Sequence, residues 1–228
     1  LITSCVLLIL IFGFSFASAG DILINKTYGG ASTEYARSVQ QTSDSGYLLA
    51  GYTNSFGAGS YDFWLVKTNL TGGMQWNKTY GGTNYDQAYS VQQTSDSGYI
   101  LTGLSYSFGA GNSDFWLVKI NSTGGMQWNK TYGTTGWEAA YSVQQTSDGG
   151  YILAGYTTSA GSNDFWLVKT DSSGTMQWSK TFGGSVTDDA YSVQQTSDGG
   201  YILAGHTLSF GAGSYDFWLV KTDSSGTL

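Results

Sequence analysis

The sequence predicts an all-β fold of repeated four-stranded antiparallel sheets. Three observations carry this. The hexapeptide Asp62-Phe63-Trp64-Leu65-Val66-Lys67 returns letter for letter at 114–119, 164–169 and 216–221, at steps of 52, 50 and 52 residues. A period of about 50 residues marks a repeat array. Each copy is preceded by Ser-Val-Gln-Gln-Thr-Ser-Asp, beginning at Ser38, Ser90, Ser142 and Ser192. The hexapeptide is also apolar on both faces of a strand: Phe115 and Leu117 alternate with Trp116 and Val118, and successive side chains of a strand point to opposite sides.

Taking one unit in order, the first strand is predicted around residues 89–94. Ser95-Asp96-Ser97-Gly98 follows as a tight turn, with Ser147-Asp148-Gly149-Gly150 and Ser197-Asp198-Gly199-Gly200 in its place later. Glycine provides the positive φ of a hairpin turn, and aspartate bonds the turn's own backbone. Residues 99–103 form the second strand. A longer loop centred on Ser107-Phe108-Gly109-Ala110-Gly111 leads to the third, 115–120. Asn121-Ser122-Thr123-Gly124-Gly125 turns the chain into the fourth, 126–132, which opens on Met-Gln-Trp as do the strands at Met74 and Met176. The third unit is shorter by two residues between Thr157 and Asp164, which places the change in a loop.

A strand apolar on both sides lies in a sheet covered on both sides. Four-stranded sheets stacked between copies of themselves are the blades of a β-propeller. The expected domain is residues 20–228, with units at about 31–80, 83–132, 135–182 and 185–228. Residues 22–28 align with a fourth strand: Ile24 matches Trp76, and Lys26-Thr27-Tyr28 matches Lys78-Thr79-Tyr80. The last unit lacks that strand. The expectation is therefore a four-bladed propeller in which 22–28 pairs with the last third strand around Trp218 and removes an open edge. A homodimer forming a larger ring is the alternative.

The pattern resembles the tandem propeller repeats of secreted surface proteins of bacteria and archaea, over nearly the whole of 20–228. Asp171-Ser172-Ser173-Gly174-Thr175-Met176-Gln177-Trp178 resembles the tryptophan-docking motif of quinoprotein propellers, with Asp171 one residue closer to the glycine than in that motif. Thr146-Ser147-Asp148-Gly149-Gly150 resembles an Asp-box turn, and Gly149-Gly150-Tyr151 is kelch-like. The resemblance implies a propeller architecture at the cell surface. It implies no particular reaction, because one fold hosts many functions.

Residues 6–16 are continuously apolar or small, the length of a signal-peptide core and too short to span a bilayer. Ala17-Ser18-Ala19 supplies the small residues of a cleavage site before Gly20. Residues 1–19 are thus read as a signal peptide, and the remainder as secreted or cell-surface and not membrane-spanning. The only cysteine, Cys5, falls within that leader, so the exported chain has no thiol for a disulfide or a thiolate metal site. Nine Lys and Arg against sixteen Asp and Glu give a net charge of −7, which argues against a nucleic-acid partner.

The second-to-third loops and the unit connections share one face and vary between units, so function is sought there. An acid follows each fourth-strand aromatic by six residues: Glu34, Asp86, Glu138 and Asp188. Each third strand begins with another: Asp62, Asp114, Asp164 and Asp216. These eight acids are read either as a cation site, with Ca²⁺ favoured by its taste for several oxygen ligands, or as loop caps that accept backbone N–H bonds. Tyr35, Tyr85 and Trp137 beside the acids, and Tyr61 and Tyr215 before the third strands, are candidates for stacking on carbohydrate or extracellular protein ligands. The alternative for each ring is packing between units. Five Asn-x-Ser/Thr sequons begin at Asn25, Asn69, Asn77, Asn121 and Asn129.

One histidine, His206, and one arginine, Arg37, leave no Ser–His, Cys–His or zinc-ligand set to assemble, nor an arginine cluster of the sialidase kind. The leading reading is a binding or interaction module without catalysis or cofactor, apart from the Ca²⁺ considered above. The alternatives are a carboxylate-based glycosidase, a quinone-dependent enzyme, and a structural segment of a larger surface array.

Overall fold

The structure, a computed structural model, describes residues 24–228. The signal-peptide reading of 1–19 and the first two residues of the expected closing strand lie outside the described residues. The described chain forms four sheets in sequence. The first holds β1 (Glu34–Gln41), β2 (Tyr47–Thr53), β3 (Asp62–Thr68) and β4 (Met74–Tyr80). The second holds β5 (Asp86–Gln93), β6 (Tyr99–Ser105), β7 (Asp114–Ile120) and β8 (Met126–Tyr132). The third holds β9 (Glu138–Gln145), β10 (Tyr151–Thr157), β11 (Asp164–Thr170) and β12 (Met176–Phe182). The fourth holds β13 (Asp188–Gln195), β14 (Tyr201–Thr207) and β15 (Asp216–Thr222). Neighbours in sequence are neighbours in each sheet, all antiparallel. The first strands begin at the acids, three residues earlier in unit two than the sequence pattern suggested.

The first turn of each unit is closed by its aspartate. Asp96 Oδ1 accepts the Gly98 N–H at 3.0 Å, and its Oδ2 accepts Lys119 Nζ at 2.8 Å. The same ion pair joins Lys67 to Asp44 and Lys169 to Asp148, each at 2.8 Å. This explains the lysine that ends the repeated hexapeptide: its stem is buried and its ammonium crosses the sheet to hold the hairpin. Glycine is not the only residue at the positive-φ position of this turn. Ser45 and Ser97 occupy it at φ 65° and 64°, where Gly149 and Gly199 stand in the later units.

The two faces of the third strand pack as the alternation requires. Trp116 and Val118 lie with Leu48, Ala50, Phe63 and Leu65 of the preceding unit. Phe115 and Leu117 lie with Tyr151, Leu153, Trp166 and Val168 of the following one. The first strands gather side by side on the inner edge. Gln93 N–H donates to Gln40 Oε1 at 2.6 Å, and Gln195 N–H to Gln144 Oε1 at 2.6 Å. The repeated glutamines thus tie each inner strand to the next.

The sheets do not close, and the four-bladed propeller expected from the sequence is not formed. Among the described residues β15 has no fourth strand beside it. Residues 24–28, expected to pair around Trp218, form no strand and lie instead against unit one. Tyr28 Oη donates to Gly72 O at 2.6 Å, repeating the bonds of Tyr80 to Gly124 O and Tyr132 to Gly174 O. The segment therefore keeps the contact that a fourth strand makes with the next unit, without the strand partner on its other side. The physical reason is that sequence phase only says which strand is missing. Whether four units bring the two ends together depends on the angle between stacked sheets, which the thickness of side chains between them sets.

Candidate functional site

The face carrying the second-to-third loops and unit connections is built from two devices. The first is a β-bulge in every inner strand. Pairing slips between Ala36 and Ser38, between Ala88 and Ser90, opposite Ala154 and Gly155, and between Ala190 and Ser192. The extra residues are Arg37, Tyr89, Tyr141 and Tyr191, and a bulge re-aims its extra side chain. The bulge is also why a glycine stands opposite in each unit. A Cβ on Gly103 would meet Gln87 C at 2.8 Å and Ala88 Cα at 2.9 Å, and Gly51, Gly155 and Gly205 face the same obstruction.

The second device joins units at the rim. Asp86 N–H donates to Tyr61 O at 2.7 Å, Glu138 N–H to Ser113 O at 2.9 Å, and Asp188 N–H to Asn163 O at 2.7 Å. Parallel bridges result at Tyr61 with Tyr85 and at Ser113 with Trp137. The loop before one unit's third strand is thereby fixed against the start of the next unit.

Together these devices assemble a continuous row of ring contacts, in which Tyr52 is buried. Along the rim, ring centroids step from Tyr35 to Tyr52 (5.1 Å), Tyr61 (5.3 Å), Tyr85 (5.5 Å), Tyr106 (6.2 Å) and Trp137 (5.8 Å). Across the bulges, Tyr89 meets Tyr141 and Tyr141 meets Tyr191, both at 5.0 Å. Tyr191 continues to His206 at 5.3 Å, and His206 to Tyr215 at 4.5 Å. Arg37 links the rows: its guanidinium carbon lies 5.4 Å from the Tyr52 ring and 5.8 Å from the Tyr89 ring, and Nη2 donates to Tyr52 Oη at 2.7 Å. Tyr85 and Trp137 are 46% and 45% exposed, so their ring faces are half available to a ligand. Packing and availability are thus not alternatives for these rings.

Of the rings singled out in the sequence, Tyr35, Tyr61, Tyr85 and Trp137 share the rim row, and Tyr215 ends the other. Sequence reasoning missed Tyr52, Tyr106 and the bulge row. Its signal was present: the four-residue match Ala-Tyr-Ser-Val reads Ala36-Arg37-Ser38-Val39 in unit one, so the chain's only arginine replaces a repeated tyrosine.

Burial acts on the phenols of the bulge row. Burial pushes Tyr89 and Tyr156 up to about 12, and Tyr141 higher still. The Tyr52 bond raises Arg37, so its cation is permanent. Asp189 is raised by burial, partly offset by Asn163, whose Nδ2 donates to it at 2.9 Å. His206 Nε2 lies 3.2 Å from Asp189 Oδ2 without the alignment of a hydrogen bond.

The eight acids lie on this face, and seven of them accept hydrogen bonds from their own loops. Asp86 Oδ2 accepts Gly82 N–H and Ser107 Oγ, both at 2.7 Å, and its Oδ1 accepts Ser105 Oγ. Asp188 accepts Gly184 N–H at 2.9 Å and Ser209 Oγ at 2.7 Å. Glu138 accepts Thr157 Oγ1 at 2.8 Å and Thr134 N–H at 3.1 Å, and Glu34 accepts Thr53 Oγ1 at 3.0 Å. Asp114 accepts Ala110 N–H at 3.0 Å, Asp216 accepts Ala212 N–H at 2.9 Å, and Asp62 accepts Gly59 N–H at 3.1 Å. Asp62 Oδ1 and Asp164 Oδ1 are buried without a partner. Burial raises Asp62, Asp114 and Asp164, and a second carboxylate adds to it: Asp86, Glu138 and Asp188 respectively. Six of the eight acids thus stand as three unit-to-unit pairs, and Glu34 and Asp216 stand outside them. Among the described residues no three His, Cys, Asp or Glu side chains converge as a metal site.

Two sequon asparagines are used by turns: Asn69 Oδ1 accepts Thr71 and Gly73 N–H, and Asn121 Oδ1 accepts Thr123 and Gly125 N–H. Comparison with protein-family models gave no match, and no curated protein showed significant similarity to the chain.

Proposed function

We propose that the chain is a secreted or cell-surface binding module whose aromatic face holds a carbohydrate. The observation that carries the reading is the unbroken run of rings from Tyr35 to Trp137, in which Tyr35, Tyr85 and Trp137 are about half-exposed. Tyrosine and tryptophan offer a flat apolar face to the C–H side of a sugar ring and a polar edge to its hydroxyls. The Arg37 guanidinium and the phenol hydroxyls add donors along the run. An extended chain of sugars fits a surface of repeated rings better than one small molecule does. An extracellular protein is the second reading, favoured by the enrichment of Tyr, Trp and Arg at protein interfaces.

The acids support binding without turnover. Seven of the eight accept bonds from loop N–H or hydroxyl donors, as a scaffold requires. A surface location agrees with the apolar stretch at 6–16 and the uncharged polar composition. Mass spectrometry of the exported chain should find Gly20 at its amino terminus.

A glycan array run beside a hydrolysis assay tests the proposal. The chain should bind a subset of glycans without releasing reducing ends. Tyr85→Ala and Trp137→Ala should each weaken that binding by about 2–13-fold, from about 0.5–1.5 kcal/mol per stacked ring. Turnover abolished by one acid substitution, or binding indifferent to both ring substitutions, would overturn it.

A further inference from the structure

The two rows of rings meet at one residue that the repeat does not dictate. The bulge position holds Tyr89, Tyr141 and Tyr191 in three units and Arg37 in the first. The Arg37 guanidinium carbon lies 5.5 Å from the Tyr35 ring centroid, in addition to its approaches of 5.4 Å to Tyr52 and 5.8 Å to Tyr89. A guanidinium carries five N–H donors in one plane. Among the described residues they make a single hydrogen bond, from Nη2 to Tyr52 Oη at 2.7 Å. Arg37 is itself exposed. No carboxylate pairs with it either: the ion pairs among the described residues are made by Lys67, Lys119, Lys169, Lys221 and His206. The face thus holds a cation that is anchored by its neighbours and has most of its donors unused.

We infer that the carbohydrate held on this face is an acidic one, with the carboxylate of a uronic acid type of sugar received by the Arg37 guanidinium. The inference rests on the carbohydrate reading and narrows it to a class. Arginine suits the task because its planar fork matches a carboxylate through two parallel N–H···O bonds, and because it is more weakly hydrated than an ammonium. The rings and the Tyr52 bond hold the fork before a ligand arrives, so less side-chain freedom is lost on binding. Tyr35 supplies the other half of the site. It is 48% exposed, it begins the rim row, and it is one of the three rings against Arg37. A sugar stacked on Tyr35 therefore brings its ring substituents beside the guanidinium. The remaining charge bounds the ligand further. A net charge of −7 opposes a dense polyanion. The ligand is then a chain in which acidic sugars are sparse, one carboxylate at Arg37 and neutral sugars along Tyr85 and Trp137.

The test is a glycan array that carries neutral glycans, uronate-containing oligosaccharides as free acids, the same oligosaccharides as methyl esters, and sulfated analogues. It is probed with the full chain, Arg37→Gln and Arg37→Lys. The full chain should bind the free acids about 5–13-fold more tightly than their esters, the range between an exposed ion pair and a hydrogen bond to a charged group. Arg37→Gln should bind acid and ester alike, with its affinity for the ester and its circular dichroism unchanged. Arg37→Lys keeps the charge without the fork and should retain a smaller preference. Equal binding of acids and esters by the full chain overturns this inference and leaves the carbohydrate reading standing. So does an Arg37→Gln variant that loses acid and ester equally, since Arg37 would then act only by packing. A preference for sulfated glycans over every uronate overturns the carboxylate assignment. Binding of no glycan at all defeats the carbohydrate reading and this inference with it.

Discussion

Trp116→Ala tests the packing on which every other feature rests. Trp116 is 1% exposed, lies 4.6 Å from Phe63 and 5.1 Å from Phe108, and donates from Nε1 to Asn129 Oδ1 at 3.2 Å. A buried aromatic removes about 150–250 Å² from water, which at about 25 cal/mol/Å² corresponds to about 4–6 kcal/mol. Alanine retains part of that area, and the unfolded chain is itself partly collapsed. Measured Trp→Ala losses of about 3–5 kcal/mol agree. The lost Asn129 bond adds little, because Asn129 is exposed and water replaces the donor. Chemical denaturation should therefore show a loss of about 3–5 kcal/mol, and the melting temperature should fall by about 6–20 °C for a domain of this size. Trp218→Ala is the internal comparison. Trp218 packs on Phe165 and Phe210, has no fourth strand beside it among the described residues, and is only half-buried. Its removal should cost roughly 1.5–3 kcal/mol, about half as much. Equal losses at the two positions, or an unchanged melting temperature for Trp116→Ala, would refute the assignment of strand faces.

Two further outcomes follow from the scaffold. The Lys67 and Thr42 bonds hold Asp44 at about 2. Partial burial pushes Asp96 and Asp148 upward, but the Lys119 and Lys169 bonds outweigh it and both also sit at about 2. These folded values lie below the usual 3.8, so the contribution to stability is present above about pH 4 and lost as pH falls towards 2. Melting temperature against pH should drop across that window, and Asp96→Asn should flatten the drop; an unaltered pH profile would reject the hairpin ion pairs. Gly103→Ala should destabilise by about 1–3 kcal/mol, since its Cβ meets the rigid bulge backbone at Gln87 and Ala88. A Gly103→Ala variant as stable as the parent in urea would mean that the bulge row is not held as described.

Sequence alone determined the unit, because a strand's pattern is local. The alternation of Phe115-Trp116-Leu117-Val118 dictated burial on both faces, and the Thr-Ser-Asp-x-Gly turns dictated the hairpins. The repeat spacing placed Asp62, Asp114, Asp164 and Asp216 at the third-strand starts, where they stand, whereas Glu34, Asp86, Glu138 and Asp188, read as part of the unit connections, begin the first strands. What repetition could not supply was anything that depends on how one sheet meets the next. The stacking angle follows from side-chain volume between sheets, and it leaves β15 open and residues 24–28 on unit one. The bulges came from contacts too: nothing in Ala88-Tyr89-Ser90 announces an extra residue, and only the close passage of Gly103 past Gln87 shows it. Tyr52, Tyr89 and Tyr141 therefore looked like ordinary strand residues until the inner strands lay side by side. Tertiary structure joined them to Tyr35, Tyr85 and Trp137, because a row of rings drawn from four units exists only once those units are stacked.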